Sequence, residues 1–318
     1  MARKTRITIG TRGSELARRQ ADYVGRELLR YWPGLEVSFR IVRTRGDKLS
    51  DVPLAKIGGR GVFVKELEQA LLAGQVDLAV HSLKDLPTEP TPGLILAAVT
   101  ERADPRDALV CPAGLKFSAL PPGARLGTAS LRRQAQLRHW RPDLVLEDLR
   151  GNIPTRLLRM QERRLDGIVV AAAALERLGL ADRITEYLSH EICLPAAGQG
   201  ALALQARAGD EAILELVRPL HHAPTGAAVT AERAFLAALQ GGCQVPAAAH
   251  AYVEEGALYL EGLVAGADGR ELIRGERHGA VRDAESLGRA LAGELLARGG
   301  EGILGRIRPS GGKDMESG

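Results

Sequence analysis

The chain has few aromatic residues and no long apolar segment. Two Trp, five Tyr and four Phe stand among 318 residues, and none lies within the arginine clusters, which argues against an RNA-binding protein that stacks bases on aromatic rings. No apolar run approaches the ~20 residues that cross a bilayer. The first residues are basic but lack the apolar stretch of a secretory signal, so we expect a cytoplasmic protein without a membrane partner.

Cysteine is also scarce. Cys111, Cys193 and Cys243 are odd in number and widely spaced, which excludes a disulfide framework of the kind that holds small secreted domains together. No CxxC pair is present, so we expect no structural zinc site. The adjacent pair His221 and His222 lacks further ligands at suitable spacing, and the sequence therefore predicts no bound metal.

Lysine is rare relative to arginine. Lys and Arg number 43 against 39 Asp and Glu, a net charge of +4 that is too small to indicate a nucleic-acid partner. Only seven of the basic residues are Lys. A guanidinium pairs bidentately with carboxylate or phosphate, which an ammonium cannot do. The composition fits either an anionic small-molecule ligand or a bias of the source genome toward Arg, Ala and Gly.

The first two thirds of the chain alternate between strand and helix patterns, which predicts βαβ units with a mainly parallel sheet. In the first unit we expect strands at 6–10, 35–41, 76–80 and 94–99, with helices from Ser14 to about residue 32 and at 64–72. In the second we expect strands at 125–127, 144–149 and 167–171, with helices from about Ser130, at 153–163 and through Leu175. Crossovers between the units are predicted near 101–107 and within 194–207.

The final third has a different pattern. A helix at 230–239, strands at 249–253, 257–264 and 271–276, and a helix at 283–297 predict a small α+β domain with an antiparallel sheet. The domain limits are expected at 1–100 together with 196–218, at 101–195, and at 219–308. A flexible tail is expected at 309–318 because that stretch is polar and rich in glycine.

Several arginines fall where predicted strands end and helices begin. Arg12, Arg132, Arg133 and Arg150 follow strands, and Arg156 lies in the first turn of a helix. Ligands of open α/β sheets bind beyond the carboxyl ends of strands, where helix N-termini also offer free N–H groups. Position therefore supports an anion site, and compositional bias stays open as the alternative at this point.

Two other residues are candidates for chemistry. Asp85 follows a strand beside Lys84, where a carboxylate could stabilise a cationic intermediate or direct protons, although a capping or ion-paired role is commoner. Cys243 lies on a glycine-rich loop and is either a nucleophile or a buried core thiol. His81 is expected to be structural. No Walker A and no GxGxxG motif is present, so nucleotide binding has no support.

These segments resemble the porphobilinogen deaminase (hydroxymethylbilane synthase) family over roughly residues 6–307. The matching stretches are Thr11-Arg12-Gly13-Ser14-Glu15-Leu16-Ala17, Thr44-Arg45-Gly46-Asp47, the run 53–67, His81-Ser82-Leu83-Lys84-Asp85-Leu86-Pro87, Asp104-Pro105-Arg106-Asp107, Gly127-Thr128-Ala129-Ser130-Leu131-Arg132-Arg133, Leu149-Arg150-Gly151-Asn152, Leu194-Pro195-Ala196-Ala197-Gly198-Gln199-Gly200 and Gly241-Gly242-Cys243-Gln244-Val245-Pro246. So many ordered motifs at family spacing are highly specific.

The resemblance implies two similar α/β domains of the type II periplasmic-binding-protein kind, joined by crossovers, plus a small C-terminal α+β domain. It implies a transferase that condenses four porphobilinogen molecules with loss of ammonia and hydrolyses the product to hydroxymethylbilane. The chain would grow on a dipyrromethane cofactor attached through a thioether to the residue that matches Cys243. Asp85 matches the catalytic aspartate, which stabilises the azafulvene-type cation formed on deamination.

The resemblance also implies the binding residues. Those expected to hold the cofactor are Ser82, Lys84, Asp85, Thr128, Ser130, Arg132 and Arg133. Those expected to hold substrate are Arg12, Ser14, Phe63, Arg150, Arg156, Arg177 and Gln199, with Gln199 at the return crossover and a mobile loop at 56–63. Gly13, Ala129 and Arg60 depart from the family pattern, and the first two each remove a potential hydrogen bond. We expect a monomer.

One alternative stays open from the sequence. Two α/β lobes with arginines at the cleft also describe a bilobal anion-binding protein or the effector module of a regulator. Cys243 discriminates between the two interpretations, because a simple binder needs no exposed loop cysteine.

Overall fold

The computed structural model describes residues 4–44, 64–239 and 245–307, in which three β-sheets are formed. The first sheet has five strands in the order β2-β1-β3-β10-β4. These strands are β1 (Arg6–Arg12), β2 (Glu36–Val42), β3 (Leu78–Ser82), β4 (Leu94–Val99) and β10 (Leu202–Arg207). Strand β1 pairs in parallel with β2 and β3, whereas β10 runs antiparallel to β3 and β4.

Helices cover both faces of this sheet because alternate strand residues point to opposite sides. Helix α1 (Glu15–Tyr31) and helix α6 (Glu211–Val217) pack on the face that carries Ile7 and Ile9. Helix α2 (Lys65–Leu72) packs on the other face, against Ala79 of β3. Each strand end is thereby fixed relative to the helix that follows it.

The second sheet repeats this arrangement with the order β7-β6-β8-β5-β9. Its strands are β5 (Asp107–Val110), β6 (Arg125–Gly127), β7 (Val145–Glu147), β8 (Gly167–Ala171) and β9 (Glu186–Tyr187). Its helices are α3 (Leu131–Trp140), α4 (Ile153–Glu162) and α5 (Ala172–Arg177). Every residue of β8 is buried, as its uninterrupted apolar run predicts.

The prediction of mainly parallel sheets is confirmed: in each sheet four of the five strands run in the same direction and one runs opposite to them. In each sheet the first three strands in spatial order pair in parallel, and the fourth pairs antiparallel on both sides. In the first sheet this fourth strand is β10, which belongs to the second crossover. In the second sheet it is β5, which belongs to the first crossover. A strand arriving from the other unit enters its sheet without a βαβ connection, so its direction is not constrained to be parallel.

The C-terminal unit is a three-stranded antiparallel sheet with helices on one face. Its elements are α7 (Ala223–Ala238), β11 (Ala247–Glu254), β12 (Ala257–Ala265), β13 (Leu272–Ala280), α8 (Ala284–Leu295) and, after a π-helical turn at Leu296–Gly300, α9 (Glu301–Ile307). Helix α7 starts seven residues before the predicted start at 230, because His222 caps it and proline is tolerated in a first turn.

The predicted fold class is confirmed by these two α/β sheets of the same strand order and by the small antiparallel sheet. The domain limits given above stay a prediction, and the predicted tail at 309–318 lies outside the described residues. Within the described ranges no helix combines the length and apolarity needed to cross a membrane.

Candidate active site

A recess forms where the carboxyl ends of β1 and β3 meet the start of α1. Ser14 begins α1 by accepting a hydrogen bond from the Ala17 backbone N–H at 3.2 Å. Strand β3 ends at Ser82 and continues directly into a 3-10 turn at Leu83–Asp85. The recess is lined by Arg12, Ser14, Leu16, Ala17, Gln20, Val64, Val80, His81, Ser82 and Asp85. Four predicted site residues therefore share one recess: Arg12, Ser14, Ser82 and Asp85.

Asp85 lies among cations from both α/β units. Burial and the neighbouring charge of Arg133 lower the pKa of Arg156 to about 10, whereas Asp85 opposes the shift. Burial likewise lowers the pKa of Lys84 to about 8, against the opposing effect of Asp85. The carboxylate of Asp85 is thus within electrostatic range of Lys84, on the first unit, and Arg156, on the second.

Arg132 and Arg133, in the first turn of α3, both form ion pairs with the buried carboxylate of Asp107. Arg132 Nη1 lies 2.7 Å from Asp107 Oδ2, and Arg133 Nη2 lies 2.6 Å from Asp107 Oδ1. Arg132 is 6% exposed and also donates to the Leu194 carbonyl at 2.6 Å. Arg133 Nε is buried and has no hydrogen-bond partner within the described part of the chain.

The remaining predicted residues of the second unit surround the start of two helices. Ser130 caps α3, accepting from the Arg133 backbone N–H at 3.4 Å, and its own N–H donates to Thr128 Oγ1 at 3.3 Å. Arg156 Nε donates to the Gly151 carbonyl at 2.8 Å, and Arg150 immediately precedes that glycine. Glycine is required at 151 because φ is +107° there.

Gln199 lies in the second crossover, and Arg177, the last residue of α5, contacts that crossover. Arg177 Nη2 donates to the Gly200 carbonyl at 2.6 Å, and burial lowers the pKa of Arg177. Gln199 is 1% exposed; its Oε1 accepts from Lys84 Nζ at 3.1 Å and its Nε2 donates to Asp107 Oδ1 at 2.8 Å. Gln199 therefore bridges the two α/β units beside the recess.

Three predictions fall outside the described residues: Cys243, Phe63 and the loop at 56–63, with Arg60. Their roles stay predictions. His81 has the structural position expected of it: it is buried, hydrogen-bonded to Gln205 at 3.1 Å, and its pKa is lowered by burial to about 4. Among the described residues no cluster of three or more His, Cys, Asp or Glu could hold a metal ion.

The sequence interpretation missed two residues at the site. Asp107 stands in a quoted motif but received no role, and it is the carboxylate that Arg132 and Arg133 share. Gln20 is 4% exposed and donates from Nε2 to Ser82 Oγ at 2.9 Å, orienting that hydroxyl. A buried glutamine one turn after a helix start gives no sequence signal that separates it from a surface glutamine.

The arrangement can bind a polycarboxylate and stabilise positive charge. Guanidinium and ammonium groups from both units surround the recess, which suits a ligand with several carboxylates. One carboxylate, Asp85, lies among them and can offset positive charge that develops on a bound molecule. Asp85 is the one carboxylate among the described residues that line the recess, whereas Asp107 is paired with Arg132 and Arg133.

Comparison with known proteins agrees with this chemistry. A family model described as "Porphobilinogen deaminase, dipyromethane cofactor binding domain" matches residues 7–215, and "Porphobilinogen deaminase, C-terminal domain" matches residues 227–297. The porphobilinogen deaminase of Syntrophotalea carbinolica is 56% identical over 95% of this chain and 96% of its own length. That of Moorella thermoacetica is 53% identical over 96% of this chain and 98% of its own length.

A solved structure, the periplasmic aliphatic sulphonate binding protein SsuA from Escherichia coli, aligns with a TM-score of 0.38 and 12% identity over 74% of this chain and 71% of that one. The assignment does not depend on this distant likeness. It depends on the two family models and on relatives that match along nearly their whole length. The chain belongs to the porphobilinogen deaminase family.

Proposed function

We propose that this chain condenses four porphobilinogen molecules, releases ammonia at each addition, and hydrolyses the product to hydroxymethylbilane. Membership of the family makes the chain a transferase of tetrapyrrole biosynthesis with a dipyrromethane cofactor. The observation that carries the detailed proposal is the position of Asp85: it is the one carboxylate among the described residues that line the recess, and it interacts electrostatically with Lys84 and Arg156.

Substrate recognition follows from charge. Each porphobilinogen carries an acetate and a propionate side chain, so a growing product accumulates two negative charges with every unit. We assign the binding of these carboxylates to Arg12, Arg150, Arg156 and Arg177, with the Ser14 hydroxyl as a further donor. Bidentate guanidinium–carboxylate pairs fix orientation as well as charge, which favours arginine here over lysine.

Asp85 is proposed to act electrostatically. Loss of ammonia leaves positive charge on the substrate carbon and its pyrrole nitrogen, and a preorganised carboxylate stabilises that charge without rearranging. Burial lowers the pKa of Lys84 to about 8, and the charge of Asp85 opposes this shift by favouring the protonated amine. A protonated Lys84 can hold a substrate carboxylate beside the reacting carbon, while Asp85 faces the developing cation.

The described residues fit a bound dipyrromethane, whose carboxylates need donors. The Nε of Arg133, which has no partner among the described residues, is such a donor. The further proposed contacts are Lys84, Ser82, Thr128, Ser130 and Arg132. When bound, the cofactor supplies the pyrrole carbon to which the first substrate unit is added. A tethered acceptor makes each addition effectively intramolecular.

Attachment through Cys243 has support from helix α7. Arg233 of α7 donates to the carbonyls of Leu86 at 3.0 Å and Pro87 at 2.6 Å, directly after Asp85. Helix α7 ends at Ala238, so Cys243 follows five residues beyond a helix that is bound to the catalytic segment. This short distance along the chain supports Cys243 as the residue that holds the cofactor near Asp85.

Intact-mass measurement together with a porphobilinogen turnover assay tests the proposal. The purified chain should be heavier than its sequence by one dipyrromethane, and Cys243→Ser should lose both this increment and turnover. Cys111→Ser is the control, since Cys111 is a buried free thiol and its loss should leave the increment in place. Turnover by a chain without the increment would refute the tethered cofactor, and a full increment on Cys243→Ser would refute the attachment site.

We further propose a cytoplasmic monomer that binds no nucleic acid. Cys111 and Cys193 are free and buried, as expected in a reducing compartment. The net charge of +4 is too small to indicate a nucleic-acid partner. Light scattering at assay concentration tests the oligomeric state.

A further inference from the structure

Asp107 is a fully buried carboxylate at the start of β5 with four donors around it. Arg132 Nη1 lies 2.7 Å and Cys193 Sγ 3.2 Å from Oδ2, while Arg133 Nη2 lies 2.6 Å and Gln199 Nε2 2.8 Å from Oδ1. The two adjacent arginines hold the pKa of Asp107 far below its usual range despite its burial. Asp107 is therefore an ionised acceptor that fixes two cations of the second unit.

Gln199 connects the Asp107 carboxylate to Lys84 of the first unit through hydrogen bonds. The Gln199 amide donates from Nε2 to both Asp107 Oδ1 and the Pro105 carbonyl, at 2.8 and 2.7 Å. Its Oε1 must then face the opposite direction, where it accepts from Lys84 Nζ at 3.1 Å. An ionised Asp107 can only accept, so it fixes which way round the amide lies and, with it, the partner of Lys84.

We propose that Asp107 is a positioning residue for the reaction: it fixes Arg132 and Arg133 directly, and Lys84 through Gln199, before any substrate binds. The inference rests on the proposed function, in which these cations hold carboxylates of substrate and cofactor. Prepositioned donors stabilise a bound anion without reorganising when it arrives. Because Asp107 follows the first crossover and Gln199 lies in the second, one carboxylate aligns cations from both α/β units.

Asp107 also sets the local charge. Together with Arg132 and Arg133 it leaves one net positive charge where two would stand without it. The charged and titratable groups that act on Lys84 are Arg133, Asp85, Asp107 and Arg132. The two carboxylates favour protonated Lys84 and the two arginines disfavour it. Removing the charge of Asp107 should therefore lower the pKa of Lys84 below its value of about 8.

The test compares Asp107→Asn with Asp104→Asn in the cofactor-bearing enzyme. Asp104 lies on the same crossover and pairs with Arg106 at 2.6 Å, but that pair is partly exposed and contacts none of the site cations.

For Asp107→Asn we expect kcat/KM for porphobilinogen to fall about 100-fold, mainly through KM, as for other misplaced binding groups. The alkaline limb of its pH–rate profile should move to lower pH, and a smaller fraction of protein should carry the cofactor by intact mass. Asp104→Asn should match the parent enzyme in all three measurements.

A second variant keeps the inference testable if Asp107→Asn does not fold. Gln199→Met removes the amide that links Lys84 to Asp107 and to the Pro105 carbonyl, and leaves the two Asp107–arginine pairs in place. It should raise KM and move the alkaline limb in the same direction. A parental pH profile in a folded Asp107→Asn protein, judged by near-ultraviolet circular dichroism, overturns the inference. If that variant is unfolded, a parental profile for Gln199→Met overturns it instead.

Lys84→Met separates this inference from the proposed function. If Lys84→Met keeps the parental KM, the proposed role of Lys84 fails and the present inference fails with it. If Lys84→Met raises KM while folded Asp107→Asn and Gln199→Met do not, the proposed function stands and only the positioning role of Asp107 is refuted. A raised KM in all three variants supports both.

Discussion

Glu232 and Arg102 form a bidentate ion pair, with two nitrogen–oxygen distances of 2.7 Å, where the C-terminal unit meets the first crossover. Glu232 belongs to α7, is completely buried, and accepts a further hydrogen bond from the Gly198 backbone N–H at 2.6 Å. Gly198 lies in the second crossover. One carboxylate of the C-terminal unit thus holds both connections between the α/β units.

Replacing Glu232 by glutamine should destabilise the protein strongly. Glu232→Gln leaves the largely buried Arg102 without its counter-charge, which costs about 3–5 kcal/mol of unfolding free energy in comparable buried pairs. The measurement is urea denaturation followed by circular dichroism. Glu285→Gln is the control: its pair with Arg289 is largely exposed and its loss should cost about 0.5 kcal/mol or less. Equal losses in the two variants would contradict the anchoring role of Glu232.

The elements that the sequence predicts well are those with strong local signals. Strand β8 is predicted within its observed bounds because all five residues are apolar. Helix α1 is predicted from the Ser14 cap and the apolar spacing that follows. Strand β5 is missed: it has four residues, begins with an aspartate, and owes its extended form to pairing with β8 and β9. Pairing with segments that are distant in the chain produces no recognisable pattern in the local sequence.

The candidate site shows the same limit. Sequence position correctly places Arg12, Ser14, Ser82 and Asp85 at strand ends that meet in one recess. It cannot show which carboxylate an arginine reaches, and so Arg132 is predicted to contact cofactor without any sign that Asp107 holds its guanidinium. Burial and long-range pairing decide that partner, and both arise only when two distant segments fold together.

Replacing Asp85 by asparagine should abolish most turnover while leaving the fold intact. Asp85→Asn keeps the shape of the side chain but removes the negative charge that offsets cationic charge on the substrate. We expect kcat to fall about 100- to 1,000-fold, the usual effect of losing one preorganised electrostatic group. The measurement is single-turnover ammonia release by cofactor-bearing protein. Asp182→Asn, on an exposed turn, is the control; near-normal turnover with Asp85→Asn would refute the electrostatic role.

His81 should make the protein less stable in mild acid. Burial lowers its pKa to about 4, with Arg12 acting in the same direction and the hydrogen bond to Gln205 opposing. Between pH 6.5 and 4 the unfolded chain therefore binds a proton that the folded chain excludes, so unfolding becomes easier as pH falls. From pH 7 to pH 5 this residue should account for on the order of 2 kcal/mol of lost stability.

Urea unfolding of His81→Gln at both pH values tests this expectation. The variant should lose less stability than the parent on acidification, because glutamine takes up no proton. His278→Gln, at an exposed position of β13, should lose as much as the parent. Since the pKa of His250 is also lowered to about 4, part of the pH dependence should remain in every variant. An identical loss in His81→Gln and the parent would show that His81 does not titrate as stated.

The two crossovers should depend on the absence of a side chain at Gly200. Its φ is +90°, and a Cβ there would lie 2.4 Å from the Ala103 carbonyl oxygen of the first crossover. Gly209 has a similar φ of +81° but open space around it, so Gly209→Ala should show only the left-handed strain of about 1–2 kcal/mol. Gly200→Ala should lose more stability, since backbone must move to relieve the clash. Gly200→Ala should also raise KM for porphobilinogen. The Gly200 carbonyl accepts a hydrogen bond from Arg177 at 2.6 Å, so a shift of this backbone would displace the Arg177 guanidinium. Thermal unfolding and steady-state kinetics on both variants give the measurement; equal effects would mean that the crossovers can separate without cost to the site.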